Sequence, residues 1–432
     1  LNLRRLSRGA AVVFCAASVM ASLAACGSVL GFESLTPLPE EASVSEGGGS
    51  DGSDSGGGGA GSTDADGTDG CAGIDLTKST QHCGRCNHDC GGGACEGSVC
   101  RPVKLAEGLK RPQGLVVDDK NVFVAESYAN RILRLDKTPP GPCSGPSLPP
   151  ACVFTSLNAI EPKGMGIDDT NVYWTDEDHA IRSCPRAGCG GQGPAERWSS
   201  GEPVFQHLNG EPLPLELVVR DGAIFFPEPY TGAVRSVAID TGNVTTYVPR
   251  AGSPFAPNAV AVDATNVYFT NGGNGSRAAE IIAAPRDASG AWRVVASADA
   301  RTWGIGLSPT GTLYWTVPGF AEDSDGKVQA SLATADGGAP IGDFAGAQTD
   351  PRALVVDAKN VYWVTAGNPK TPTGMVVYCP QTGCPTDGPI VLAETQRVPR
   401  HLTQDATALY WSNVGLETGQ DVDGQVWKVA KP

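Results

Sequence analysis

Six cysteines fall within 30 residues, at Cys71, Cys83, Cys86, Cys90, Cys95 and Cys100. His82 and His88 stand among them, and Cys83 with Cys86 has the Cys-x-x-Cys spacing of a zinc ligand pair. The segment is rich in Gly and poor in core-forming side chains, so a fold this small needs covalent staples. The chain has 14 cysteines; setting aside Cys15 and Cys26 near the N-terminus leaves 12. An even number in an exported chain favours disulfides over zinc, and six cysteines allow about 15 connectivities. The other six fall as Cys143 with Cys152, Cys184 with Cys189 and Cys379 with Cys384. The last two pairs close turns that each hold a Pro and a Gly, and read as hairpin clamps worth roughly 2 to 3 kcal/mol apiece. Acid/base chemistry wants a histidine, and beyond the cysteine cluster only His179, His207 and His401 offer one. Asp323-Ser324-Asp325-Gly326 and Asp421-Val422-Asp423-Gly424 present oxygen ligands of the kind calcium takes, though neither is a complete EF-hand loop. No cofactor is expected, with calcium at these turns as the alternative. Serine nucleophile elbows, phosphate loops and zinc-protease helices are missing from the sequence. A formal charge of −15 argues against nucleic acid as a partner.

The elements that position these residues repeat. Phe123, Tyr173, Phe225, Tyr268, Tyr314, Tyr362 and Tyr410 each sit in a short apolar run, at steps of 50, 52, 43, 46, 48 and 48 residues. A period in this range carried by short strands marks a β-propeller blade, and seven copies predict an all-β, seven-bladed propeller over residues 101–432. The runs do not alternate apolar with polar, so both faces of the second strand should be buried, with Trp174, Trp315, Trp363 and Trp411 as packing between blades. In the second repeat, 164–167, 172–175, 180–184 and 203–207 are the expected strands, with Asp168 to Asn171 as a turn. The last repeat stops after three strands. Val103-Lys104-Leu105-Ala106-Glu107 leads into Pro112 much as Ile390 to Glu394 leads into Pro399, so it should complete blade 7 and close the ring.

Ahead of the propeller, Arg4, Arg5 and Arg8 precede an apolar run from Ala10 to Ala21, the pattern of an export signal and too short to span a bilayer. Leu23-Ala24-Ala25-Cys26 resembles the lipobox of bacterial lipoproteins. The resemblance implies a signal peptide over 1–25, a lipid on Cys26 and a chain anchored to the membrane. Gly27 in the next position resembles lipoproteins sorted onward to an outer membrane. Residues 41–70 are almost wholly Gly, Ser, Asp, Glu, Ala and Thr, and 26–70 reads as anchor and flexible tether, about 30 Å in mean span over its low-complexity part.

Two further resemblances concern the folded parts. His82 to Cys90, continued by Cys95 and Cys100, is similar to the cysteine-rich motif of the stigma-specific protein family, over a module at 71–100. Tyr173-Trp174-Thr175-Asp176 resembles the YWTD repeat, and the Asp-x-x-Asn-Val-Tyr-Trp pattern resembles YWTD and NHL propellers in general. Only the second repeat matches YWTD in full, and that family has six blades. The resemblance implies the fold, with ligand binding as its common use.

Aligning the repeats places Gln113, Lys163, Leu215, Asn258, Trp303, Arg352 and Arg400 in one ring at the mouth of the central channel, six of them directly after a proline. Three are cationic, which reads as an anion or carboxylate site walled by Trp303, or as side chains that plug a wet channel and pair with nearby acids. Loops on that face carry Glu126, Asp176, Glu177, Asp178, Glu228, Glu322, Asp323, Asp325, Glu417, Asp421 and Asp423, an expected acidic rim. The expected function is a binding or assembly module on the cell envelope, with a protein, peptide or carbohydrate ligand. A propeller enzyme is the alternative, similar to streptogramin lyases or to metal-dependent lactonases. The lyase reading has only His179 and His401 on the right face, and the lactonase reading little beyond Asn258 and Glu216.

Overall fold

A computed structural model describes residues 71–177, 180–199, 216–228, 232–247, 256–272, 279–298, 301–319, 324–337, 342–417 and 422–432. Seven four-stranded antiparallel sheets follow one another as blades, and a two-stranded hairpin precedes them. Blade 1 comprises Pro112–Val117, Asn121–Glu126, Arg131–Asp136 and Val153–Thr155. Blade 4 comprises Pro257–Val262, Asn266–Asn271, Ala279–Pro285 and Arg293–Ala298, and blade 6 comprises Pro351–Val356, Asn360–Thr365, Gly374–Pro380 and Ile390–Gln396. Second strands are buried along nearly their whole length, and Trp174, Trp315, Trp363 and Trp411 are completely enclosed. Their indole nitrogens keep partners: Trp315 donates to Gln329, Trp363 to Gln348 and Trp411 to Gln396. Among the described residues no helix is long and apolar enough to cross a membrane.

The repeated Asp-x-x-Asn segment does more than turn the chain. In five blades Oδ1 of Asp118, Asp168, Asp263, Asp357 or Asp405 accepts from the backbone amides two and three residues on. Oδ2 of four of them accepts the hydroxyl of Tyr173, Tyr268, Tyr362 or Tyr410, at 2.6 to 3.0 Å. None of these five aspartates has a positive φ, so hydrogen bonding and not left-handed backbone explains the choice of residue. One position after the third strand, Lys137, Arg186, Arg286 and Lys431 each reach the turn aspartate of the preceding blade: Asp405, Asp118, Asp221 and Asp357. Cationic brackets thereby join blades 1 to 7, 2 to 1, 4 to 3 and 7 to 6.

These contacts carry a pH dependence. Burial by itself would raise Asp118, Asp168, Asp263, Asp357 and Asp405, but amide, hydroxyl and cationic partners outweigh it and hold all five below the ordinary value. A carboxylate with a lowered folded-state pKa contributes stability that is complete above about pH 4 and is lost as pH falls toward its folded value. Asp405 is lowered furthest, with the Lys137 ammonium 2.5 Å away. Asp405→Asn is expected to cost about 1 to 3 kcal/mol at neutral pH. Urea titrations should show the gap to wild type narrowing from about pH 4 to about pH 2; a constant gap would rule the clamp out.

Val103–Leu109 pairs antiparallel with Gly424–Ala430, so the N-terminal strand supplies the fourth strand of blade 7 as expected. The cysteine-rich segment docks on that same C-terminal strand. His88 lies between the carbonyls of Cys83 and Lys431, at 2.5 and 2.7 Å, and Lys428 donates to Gly91 O at 3.0 Å. Its connectivity is Cys71–Cys86, Cys83–Cys95 and Cys90–Cys100, which leaves none of the six thiols for zinc. His82 is used locally too, its Nδ1 accepting from Asn87 N. Cys143–Cys152, Cys184–Cys189 and Cys379–Cys384 form the three expected pairs.

One strand was misplaced by the sequence. Blade 2 comprises Met165–Ile167, Asn171–Thr175, Ala180–Pro185 and Ala195–Ser199, and 203–207 lies outside the described residues. The reason is Trp198, opposite Ile181 in the ladder, whose ring packs 4.8 Å from Phe226 of blade 3. One such aromatic anchors this outer strand to the neighbouring blade.

Candidate functional site

The ring residues sit where the chain enters each first strand. Their backbones are tied from blade to blade: Gly114 N donates to Lys163 O at 2.9 Å, Thr316 Oγ1 to Arg352 O at 2.7 Å and Ser412 Oγ to Gln113 O at 2.6 Å. Asn258 spends its amide on Thr302 O, at 2.6 Å. Arg111, Glu161, Asp350 and Val398 directly precede four of the prolines, and all have φ between 45° and 56°. A β-branched residue such as Val398 pays heavily for a left-handed backbone, and strain of this kind persists only where surrounding contacts over-determine it. The approach to the channel is therefore rigid at these four points.

Side chains of the ring are enclosed. Gln113, Lys163, Asn258, Trp303, Arg352 and Arg400 are at most 9% exposed, and Leu215 lies outside the described residues. Lys163 pairs with Glu177, which fits the plugging alternative at blade 2. Arg352 pairs with Asp350 and fits the same alternative, while in blades 5 and 6 a stacked aromatic is added. There Trp303 lies between two guanidinium groups, with Arg301 4.7 Å and Arg352 4.3 Å from its ring centre, and Arg352 also binds Asp350 at 2.6 Å. Cation–π stacking fixes the plane of both the indole and the guanidinium. Arg400 follows in blade 7, so a stacked aromatic and two cations occupy three adjacent blades.

The acidic rim needs correction. Glu126, Asp176 and Glu228, at the ends of second strands in blades 1 to 3, are at most 1% exposed. Each pairs with an arginine of its own third strand: Arg131, Arg182 and Arg235. Glu126 also accepts Lys110 N and Asp176 accepts Ile160 N, tying down the segment that arrives from the preceding blade. They are internal braces, because only a buried carboxylate reaches both the hairpin and the incoming backbone. Asp423 is similarly occupied by Leu416 N and Arg397. Asp178, Glu322, Asp323 and Asp421 lie outside the described residues, so each proposed calcium turn is represented by one of its two aspartates.

Inside the ring runs a channel with a cavity of about 340 Å³. Its lining side chains are mainly aliphatic, from Leu115 and Met165 to Leu354 and Leu402, while polar atoms make up slightly more than half of the wall that faces the cavity; its ionisable lining residues are Glu216 and His401. His179 and His207 lie outside the described residues. Glu216 and His401, which belong to different enzyme readings of the sequence, share this cavity, and their common position in repeats 3 and 7 is the sequence signal for it. A lactonase-type metal set wants several inward carboxylates, and among the described lining residues Glu216 is the one present.

No protein-family model matches the sequence, and no curated protein matches it. Solved structures do. A chain of a nidogen/laminin complex covers 59% of this chain and 87% of its own length, at 16% identity and a TM-score of 0.40. The computationally designed Ika8 protein covers 75% of this chain and 99% of its own, at 13% identity and 0.45. U3-55K covers 77% of this chain and 98% of its own, at 12% identity and a TM-score of 0.53. At such identities the likeness to U3-55K speaks for the fold alone.

Proposed function

We propose that this chain is an exported lipoprotein, held to an outer membrane through a lipid on Cys26. Residues 26–70 tether it, and the propeller serves as a binding or assembly module on the cell envelope for a protein, peptide or carbohydrate. The observation that carries the reading is the mouth at blades 5 to 7, where Trp303 is stacked between Arg301 and Arg352 beside Arg400. Trp303, Arg352 and Arg400 are at most 9% exposed, so the group they suit is a carboxylate or another small polar tip that a partner inserts into the mouth. Six disulfides among the described residues agree with an oxidising compartment. A propeller enzyme is the second reading, favoured by Glu216 and His401 lining one cavity.

Fractionation and cross-linking test the first reading together. Cys26→Ala should move the protein from the membrane pellet to the soluble fraction. In cross-linked envelopes, an Arg352→Ala/Arg400→Ala variant should lose at least about tenfold of one captured partner, the scale of a single lost anchor. Arg352→Lys/Arg400→Lys keeps the charge but not the planar fork, and separates recognition from misfolding. An unchanged capture profile in a folded double variant would move the site away from the mouth.

A further inference from the structure

One residue beyond the ring, in or just before the seven first strands, stand Gly114, Gly164, Glu216, Ala259, Gly304, Ala353 and His401. Small residues are required in at least two blades: a Cβ on Gly114 would stand 2.3 Å from Lys163 O, and one on Gly304 2.9 Å from Arg352 O. Against that background, long ionisable side chains in blades 3 and 7 are departures from the repeat. Counting round the ring, blades 3 and 7 are separated by three steps one way and four the other. Glu216 and His401 therefore stand on nearly opposite walls of the same cavity.

Among the described residues His401 lacks the partner that such a position calls for, and Glu216 is half-buried at the cavity wall. His401 is 8% exposed, and its Nδ1 is buried with no hydrogen-bond partner in the structure. Burial pushes Glu216 up to about 8 and His401 down to about 4, which favours the uncharged form of each near neutral pH. A protonated carboxyl can donate and a neutral imidazole can accept, while the lining between them is mostly Leu, Ile, Val and Met side chains, with Thr403, Gln404 and backbone groups as uncharged polar contacts. An ion entering this space would lose its hydration without meeting a counter-charge. An apolar molecule with one polar group would not.

We propose that the channel of this propeller is a binding site for a small uncharged molecule with an apolar body and one hydroxyl or amide group, gripped between Glu216 and His401. The cavity, about 340 Å³, is of the size that encloses a small ligand of this kind. The site is separate from the mouth: its determinants are not Trp303, Arg352 or Arg400, and either proposal can fail alone.

The test uses the full-length purified protein with phenol, indole and cyclohexanol as probes and benzoate as the charged counterpart, followed by saturation-transfer NMR and by the ring signals of ¹⁵N-labelled histidine. Probes this small are expected to bind in the millimolar range. At least one neutral probe should saturate, shift the ring signal that is missing from His401→Gln, and weaken about tenfold or more in Glu216→Leu and in His401→Phe. Glu216→Gln, which keeps a donor, should retain binding, as should Arg352→Ala/Arg400→Ala. Benzoate should not saturate. The proposal is overturned if no neutral probe saturates in the wild type, if the His401 signal does not move, if both apolar variants bind as well as wild type, or if benzoate binds as tightly.

Discussion

Removing Val103–Leu109 is expected to destabilise the propeller by more than about 5 kcal/mol, while removing 41–100 costs only a fraction of that. The strand places Leu105, Ala106 and Leu109 in the core of blade 7, all but enclosed, and pairs along Gly424–Ala430. Losing a buried leucine typically costs about 2 to 5 kcal/mol, and two are lost here. The deletion also bares Gly424–Ala430 as an open edge and breaks the ring at its closure. The cysteine-rich segment holds the same strand by far less: the His88 contact to Lys431 O, the Lys428 contact to Gly91 O and a small cluster of disulfides against Ala430. Its removal should cost about 1 to 3 kcal/mol. Urea midpoints of chains starting at 71, 101 and 110 decide the matter. Equal midpoints for the last two would mean that blade 7 is complete without its N-terminal strand.

Asp176→Ala is expected to cost about 3 to 5 kcal/mol. The carboxylate is fully enclosed and accepts from Arg182 at 2.6 Å, Trp174 Nε1 at 3.0 Å and Ile160 N at 3.0 Å. Truncation leaves a buried guanidinium beside an incomplete set of acceptors, strands an indole N–H and releases the segment that arrives from blade 1. Asp176→Asn keeps an acceptor but not the charge, and should cost about half as much. A double-mutant cycle with Arg182→Ala isolates the pair, with a coupling of about 1 to 3 kcal/mol expected for groups in direct contact. A loss below about 1 kcal/mol for Asp176→Ala would place this residue on the solvated rim after all.

The frame of this molecule was legible because its signals are local and apolar. Seven aromatic second strands repeat with little variation, Asp-x-x-Asn turns recur in four of the blades, and the stray strand at 103–107 matched the one before Pro399. Pairing across the ring was not legible. Lys137, Arg186, Arg286 and Lys431 share a repeat position with Ile239, Ala333 and Gln381, so no residue type marks it; only the neighbouring aspartate in space gives it meaning. The acids were misread for a related reason: an exposed carboxylate and one buried against Arg131, Arg182 or Arg235 look alike in one dimension. Glu216 and His401 were visible as residues, but their shared cavity depends on seven strands converging.

Recognition at the channel mouth is tested most directly by hydrogen–deuterium exchange of the protein in isolated envelopes against the same protein purified away from them. The approaches to the first strands of blades 5, 6 and 7, at 301–304, 350–353 and 398–401, should exchange more slowly in the envelope, while the outer strands Arg293–Ala298 and Ile390–Gln396 remain unchanged. Added protection confined to the outer strands, or none anywhere, would contradict a partner at the mouth.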